Sequence, residues 1–105
     1  MIKQNYAVNN FNFSTLEQAE LFENIITRNK FNNKQKKIIA SGIKKRLDVS
    51  IYSFKYFKAE QMKQIRFGLE DKLDPILYAY SDISADKMEK IIKILIEEWN
   101  KKELD

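Results

Sequence analysis

The sequence has 105 residues, a length that suits a single globular domain. It contains no cysteine and no histidine, which excludes disulfides, thiol nucleophiles and the common zinc sites. The net charge is +4, 44% of the residues are hydrophobic, and no apolar run resembles a signal peptide or a membrane span. We therefore expect a cytoplasmic protein that is not an enzyme, carries no metal or cofactor, and has no membrane partner.

The N-terminal part of the chain is predicted to consist of an arm and a first helix. Residues 1–12 show a loose alternation of apolar side chains and are predicted to form an extended arm or a short strand. A single helical domain then covers residues 13–105. Its first helix begins near Ser14, where Ser-Thr-Leu-Glu matches a capping box, and runs to about Arg28. This degenerate opening helix, 13–30, aligns with the next helix at a spacing of 18 residues, as if a short helix had been deleted.

A unit of 26 residues occurs three times after the opening helix, over residues 31–56, 57–82 and 83–105. A fixed period without insertions is the signature of a repeat architecture. The matching residues are Phe31, Phe57 and Ile83; Gln35, Gln61 and Lys87; Ile39, Ile65 and Ile91; Ile43, Leu69 and Leu95; Leu47, Leu73 and Trp99.

The central unit predicts a long helix followed by a short one. Apolar residues spaced by three and four positions line one face of the long helix: Met62, Ile65, Leu69 and Leu73. Asp74-Pro75 then begins a short helix, because Asp is a good N-cap and Pro is tolerated in the first helical turn. We predict an all-α helical-repeat domain with alternating long and short helices. The long helices are expected near 14–28, 33–46, 59–72 and 84–102, the last one being a C-terminal cap.

Two glycines share one position in the long helix. Gly42 and Gly68 lie in the middle of that helix, where Gly costs about 1 kcal/mol relative to Ala. We attribute both to the close approach of a neighbouring backbone. The third copy has Ile94 at this position and has no Asp-Pro corner, as expected of a terminal unit that no further unit follows.

The basic residues are concentrated in the middle of the chain. Residues 28–66 contain twelve Lys and Arg and two acidic residues, a net charge of +10, whereas residues 67–105 carry −4. This asymmetry indicates an anionic partner, either a nucleic acid or an acidic protein surface, although a solvated lysine-rich face is an equal alternative. The predicted partner-binding residues are Lys36, Lys37, Lys44, Lys45, Arg46, Lys63 and Arg66.

Other site chemistries have little support in the sequence. Asp48 and Asp74 are the recurrent acidic residues, and we interpret them as helix caps and not as catalytic groups. Residues 39–50 faintly resemble a helix-turn-helix, but the segment that would be the recognition helix is short, and the next unit has Pro75 near its start.

The central unit contains the pattern Gln61-Met62-x-x-Ile65-Arg66-x-Gly68-Leu69-Glu70-x-x-Leu73-Asp74, followed by Tyr78-Ala79. This pattern resembles a short tandem repeat of proteins from bacterial plasmids, phages and conjugative elements. The resemblance covers about residues 31–104; the first copy departs from it at Lys36 and Ile43-Lys44, and the third lacks the Gly and the Asp. It implies an accessory protein of a mobile genetic element. Small basic proteins encoded by such elements often resemble anti-CRISPR inhibitors. It implies no activity of the repeat itself and no catalytic or binding residue.

These features favour a non-enzymatic interaction module that binds a host nuclease or ribonucleoprotein as an inhibitor. Two alternatives remain open at this point. One is a nucleic-acid-binding protein that uses the basic 28–66 segment. The other is a homo-oligomeric structural protein that buries the exposed flank of its terminal helix.

Overall fold

The structure is a computed structural model that describes residues 14–104, with side chains through Lys101. This range is helical, contains no strand, and confirms the predicted all-α fold with a long C-terminal helix. The arm predicted for residues 1–12 lies outside the described residues. The long helices are α1 (Thr15–Arg28), α2 (Asn33–Lys44), α3 (Ala59–Glu70) and α4 (Ala85–Leu104). The 3₁₀ helices are the first short helix (Val49–Ile51) and the second short helix (Pro75–Leu77).

Polar side chains fix where the helices begin. Ser14 Oγ accepts a hydrogen bond from the Glu17 backbone N–H at 3.2 Å, and Glu17 Oε1 accepts one from the Ser14 N–H at 3.0 Å. This is the predicted capping box, and its hydrogen bonds lower the pKa of Glu17. Asp48 and Asp74 cap the two short helices, each accepting a hydrogen bond from the backbone N–H two residues later.

The helices α2 and α3 end two residues earlier than predicted, because each closes in a Schellman motif. In α2 the Leu47 N–H donates to Gly42 O at 3.0 Å, and the Arg46 N–H donates to Ile43 O at 2.9 Å. This geometry needs a left-handed residue, and Arg46 has a φ of 62°. Lys72 takes the same place after α3 with a φ of 60°. The turn directs the chain back beneath the helix it has just left.

Each long helix packs on the next in chain order, α1 on α2, α2 on α3 and α3 on α4. The core is formed by buried residues of α2, α3 and α4 together with those around the two short helices. In α4 the buried residues are Met88, which the 26-residue period matches to the buried Met62, and Ile92, whereas Ile91 and Leu95, matched to Ile65 and Leu69, are only half-buried. Among the described helices α4 packs mainly on α3, so its buried face turns towards α3.

Tyrosine side chains explain the two helical glycines. A Cβ atom on Gly42 would lie 3.2 Å from Tyr52 Cζ and still closer to its Oη. One on Gly68 would lie 2.7 Å from Tyr78 Cε2. The close approach is therefore present, but the prediction of a neighbouring backbone was wrong, since the neighbour is a side chain of the same unit. The equivalent Ile94 of α4 is 58% exposed.

Two buried glutamines connect consecutive units. Gln35 Oε1 accepts from the Asn32 N–H at 2.9 Å, and its Nε2 donates to Phe57 O at 2.8 Å. Gln61 makes the same pair of bonds, one to the start of α3 and the other to Ile83 O at 2.7 Å. Each side chain, named a glutamine bridge below, satisfies backbone groups at the start of its own helix and before the next one.

Candidate interaction surfaces

Three of the predicted partner-binding lysines lie on one exposed face of α2 and its C-cap. Lys37, Lys44 and Lys45 are all exposed. The spacing of seven residues brings Lys37 and Lys44 within about 20° of each other round the helix, and Lys45 lies about 80° from Lys37. Ile39, at the centre of the opposite side, is fully buried in the core. We refer to these three residues as the α2 lysine face. A rigid helix thus presents them together, away from the core.

Lys45 differs from the other two lysines because it has a carboxylate partner. Its Nζ lies 2.8 Å from Glu70 Oε1 of α3, and the side chains are 53% and 27% exposed. Such a partly exposed pair stabilises by about 1 kcal/mol. The Glu70 carboxylate nevertheless offsets the charge of Lys45, so Lys37 and Lys44 carry most of the positive potential of this face.

Arg66 points between α2 and α3 instead of outward. Its Nη1 donates to Ser41 Oγ at 3.0 Å, and its guanidinium carbon lies 5.1 Å from the centroid of the Phe67 ring. The Lys63 Nζ is 5.9 Å from the same ring. Arg66 therefore contributes to the packing of the two helices, and Lys63 remains exposed on α3.

The polar contacts between α2 and α3 surround the buried Tyr52. Its Oη donates to Ile38 O at 3.2 Å. Burial raises the pKa of the Tyr52 phenol well above its ordinary value, while nearby Arg66 lowers it and Glu70 raises it. The phenol is thus held in its neutral form inside the helix pair.

The last two predicted residues lie apart from the α2 lysine face. Lys36 is half-buried, unlike the three exposed lysines of that face. Arg46 is exposed at the left-handed position after α2. The structure therefore does not bring all seven predicted residues into one patch.

Positive charge does not continue across the outer surfaces of α3 and α4. The exposed charged residues of these helices and their caps have both signs and include Glu60, Lys63, Asp71, Asp86, Lys87, Glu89, Lys90, Lys93 and Glu97. Lys93 Nζ is paired with Glu89 Oε1 at 3.1 Å. The basic surface is thus concentrated on α2.

A groove lies between α1 and the corner that follows α2. It has a volume of about 540 Å³, within the range of ligand sites in proteins. Its walls are mainly apolar: Leu21 and Ile25 come from α1, Leu47 and Val49 from the corner and the first short helix, and Phe54 from the segment beyond. We name this cavity the α1 groove.

The α1 groove was not identified as a site from the sequence, although a signal for it exists. The spacing of 18 residues between the opening helix and α2, in place of 26, removes the segment that forms a short helix in the later units. In the structure, residues 29–32 are the whole connection between α1 and α2.

The described residues offer little support for other site chemistries. Among residues 14–104 no group of three or more acidic side chains could hold a metal ion. The segment after Leu47 forms a 3₁₀ helix of three residues, which is too short for the recognition helix of a helix-turn-helix. None of the helices described is both long and apolar enough to cross a membrane.

Comparisons with known proteins give no relative for this chain: no protein-family model, no curated protein and no solved structure matches it. Its function must therefore be inferred from the surfaces described above.

Proposed function

We propose that this chain is a non-catalytic interaction module of a mobile genetic element, and that it inhibits a host nuclease or ribonucleoprotein by covering an anionic part of its surface. The observation that carries the proposal is the α2 lysine face, in which Lys37 and Lys44 project together from a rigid helix. The mobile-element setting is supported by the resemblance of the Gln61–Ala79 pattern to repeats of plasmid and phage proteins.

Direct nucleic-acid binding is the second candidate, and the same lysines favour it. Lysines bind phosphates as point charges, whereas base recognition depends mainly on arginine. Arg66 contacts Ser41 and Phe67, so its guanidinium is not directed outward for base recognition. We therefore expect contacts to phosphates only, with an affinity for random duplex DNA on the order of 10⁻⁵ M or weaker.

The test is a charge reversal on the α2 lysine face, Lys37→Glu with Lys44→Glu. Lys45 is left unchanged because reversing it would place two carboxylates together beside Glu70. Lys87→Glu with Lys90→Glu is the matched control, since these exposed α4 lysines give the same change in net charge. The readout is plasmid transformation into bacteria that carry a CRISPR nuclease directed at the plasmid, with and without the protein.

We expect the parent and the α4 control to restore transformation, and the α2 variant to lose at least tenfold of that effect. Equal activity of the α2 variant and the control would refute the role of the lysine face. Gel shifts with random duplex and single strands are run in parallel. Submicromolar binding that persists at physiological salt would make nucleic acid the primary partner.

A further inference from the structure

The α1 groove lies beside the one connection between long helices, among residues 14–104, that contains no short helix. After α2 and after α3 the chain forms a short helix, and the tyrosine that follows packs against a glycine of the long helix. The connection of four residues between α1 and α2 contains no such element. The first short helix contributes Val49 and Ser50 to the wall of the groove, opposite the residues of α1.

Burial along the helices agrees with a missing element. The helix α2 has four buried residues and α3 has six, whereas α1 has none. The groove-lining Leu21 and Ile25 are half-buried, and Phe54 is 41% exposed. Apolar side chains of α1 thus remain partly in contact with water at the place where the later units are covered.

We propose that the α1 groove binds a short helical turn of a partner protein, one that carries aliphatic and aromatic side chains with a carboxylate near its N-terminal end. The two short helices of this chain are the templates for the apolar part, because each is an aspartate cap, a 3₁₀ turn and a tyrosine. The helical turn of the partner would thus take the place of the short helix that the connection between α1 and α2 lacks.

The charged residues that line the groove are one of each sign, and the exposed Arg28 is the one that can pair with a carboxylate of the occupant. Arg28 is exposed at the end of α1 and lines the groove. Asp48 is the acidic residue of the lining, and its Oδ1 already accepts from the Ser50 N–H at 3.2 Å. A carboxylate on the incoming segment would therefore find Arg28 as its partner.

This inference rests on the proposed function only in assuming a protein partner, and it uses different residues. The α2 lysine face does not line the groove. Reversal of Lys37 and Lys44 should leave groove binding unchanged, whereas Phe54→Ser, a groove substitution that alters no charge, should not change the weak attraction to nucleic acids. Failure of one proposal is thus distinguishable from failure of the other.

The probe is a capped synthetic peptide with the sequence of residues 72–80, KLDPILYAY, added to the full-length isotope-labelled protein. We expect saturable changes in the amide NMR signals of Leu21, Ile25, Val49 and Phe54. Phe54→Ser should weaken binding at least tenfold, and because Phe54 is partly exposed this variant should remain folded. Arg28→Gln should weaken binding severalfold and remove its dependence on salt. A peptide in which Ser replaces the residues that correspond to Ile76, Leu77 and Tyr78 should not bind.

The matched control is Ile76→Asp, which changes an apolar residue that is 67% exposed and does not line the groove. It should bind the peptide as the parent does, whereas Ile25→Asp should not. Absence of saturable binding, or equal binding by Phe54→Ser and the parent, would overturn the proposal. So would tighter peptide binding after replacement of Phe11 and Phe13 by Ser, because the groove would then belong to the start of this chain. A concentration-dependent dimer with protected groove amides would also overturn it, in favour of a second copy.

Discussion

Tyrosine rings take the space that a side chain would need at Gly42 and Gly68. The Tyr78 ring packs where a Cβ of Gly68 would stand, and its Oη donates to Leu73 O at 3.2 Å. The ring therefore fills a gap in the core and also satisfies a carbonyl near the end of the helix. The helix accepts the low propensity of glycine because a large buried aromatic group requires the room.

We expect Gly68→Ala to destabilise the protein by about 1–3 kcal/mol, because the ring must move. At an exposed helical glycine the same substitution would stabilise the protein, since Ala has the higher helix propensity. The measurement is urea unfolding of the parent, Gly68→Ala, Tyr78→Leu and the double variant. The double variant should lose less stability than the two single losses combined, by about 1 kcal/mol or more. Additive losses would show that the glycine and the tyrosine do not share this space.

The raised pKa of Tyr52 predicts a loss of stability in alkali. The phenol of the unfolded chain titrates near pH 10, whereas the buried phenol keeps its proton to higher pH. Its contribution to stability is therefore complete below about pH 10 and decreases as the pH rises from there towards the folded-state pKa. Unfolding free energies between pH 8 and 11 should decrease less steeply for Tyr52→Phe than for the parent. Tyr56→Phe, which removes the hydroxyl of an exposed ring, is measured alongside as the surface control.

At the scale of single elements, the beginnings of helices were easier to predict than their ends. The starts depend on side chains that the sequence displays, such as Ser14, Asp48 and Asp74. The ends of α2 and α3 depend on backbone hydrogen bonds and on a left-handed residue. Glycine usually marks that residue, but here it is Arg46 or Lys72, so the usual signal was missing.

Replacing the left-handed residues by glycine should stabilise the two helix ends. Lys72→Gly removes the steric cost of a Cβ at a φ of 60°, and we expect a gain of about 0.5–1 kcal/mol in the free energy of unfolding. Lys63→Gly is the control: the same chemical change inside α3 should cost about 1 kcal/mol. Thermal and urea unfolding provide the measurement, and a loss of stability in Lys72→Gly would contradict the assigned helix end.

At the scale of the molecule, the sequence predicted the order of the elements but not how their surfaces meet. The pairing of Lys45 with Glu70 and the inward turn of Arg66 both depend on the rotation of α3 against α2. A net charge counted along the chain contains no information about this rotation. The α1 groove likewise arises from two elements that are far apart in sequence, although the shortened spacing before α2 was visible.

The glutamine bridges make the two ends of the helix stack different, because each bridge binds the backbone that precedes the next long helix. Each bridge reaches forward, from Gln35 to Phe57 and from Gln61 to Ile83, and the equivalent of these glutamines in α4 is the exposed Lys87. A second copy of residues 57–82, inserted after residue 82, should therefore be accepted as an internal segment and give a longer cooperative protein. Its circular dichroism signal should increase by the helix content of one added unit, and the midpoint of its unfolding transition should not decrease. The same copy added after α4 would lack a glutamine bridge to α4, because Lys87 takes the place of the glutamine there. We expect this added copy to remain unfolded and to be removed by limited proteolysis.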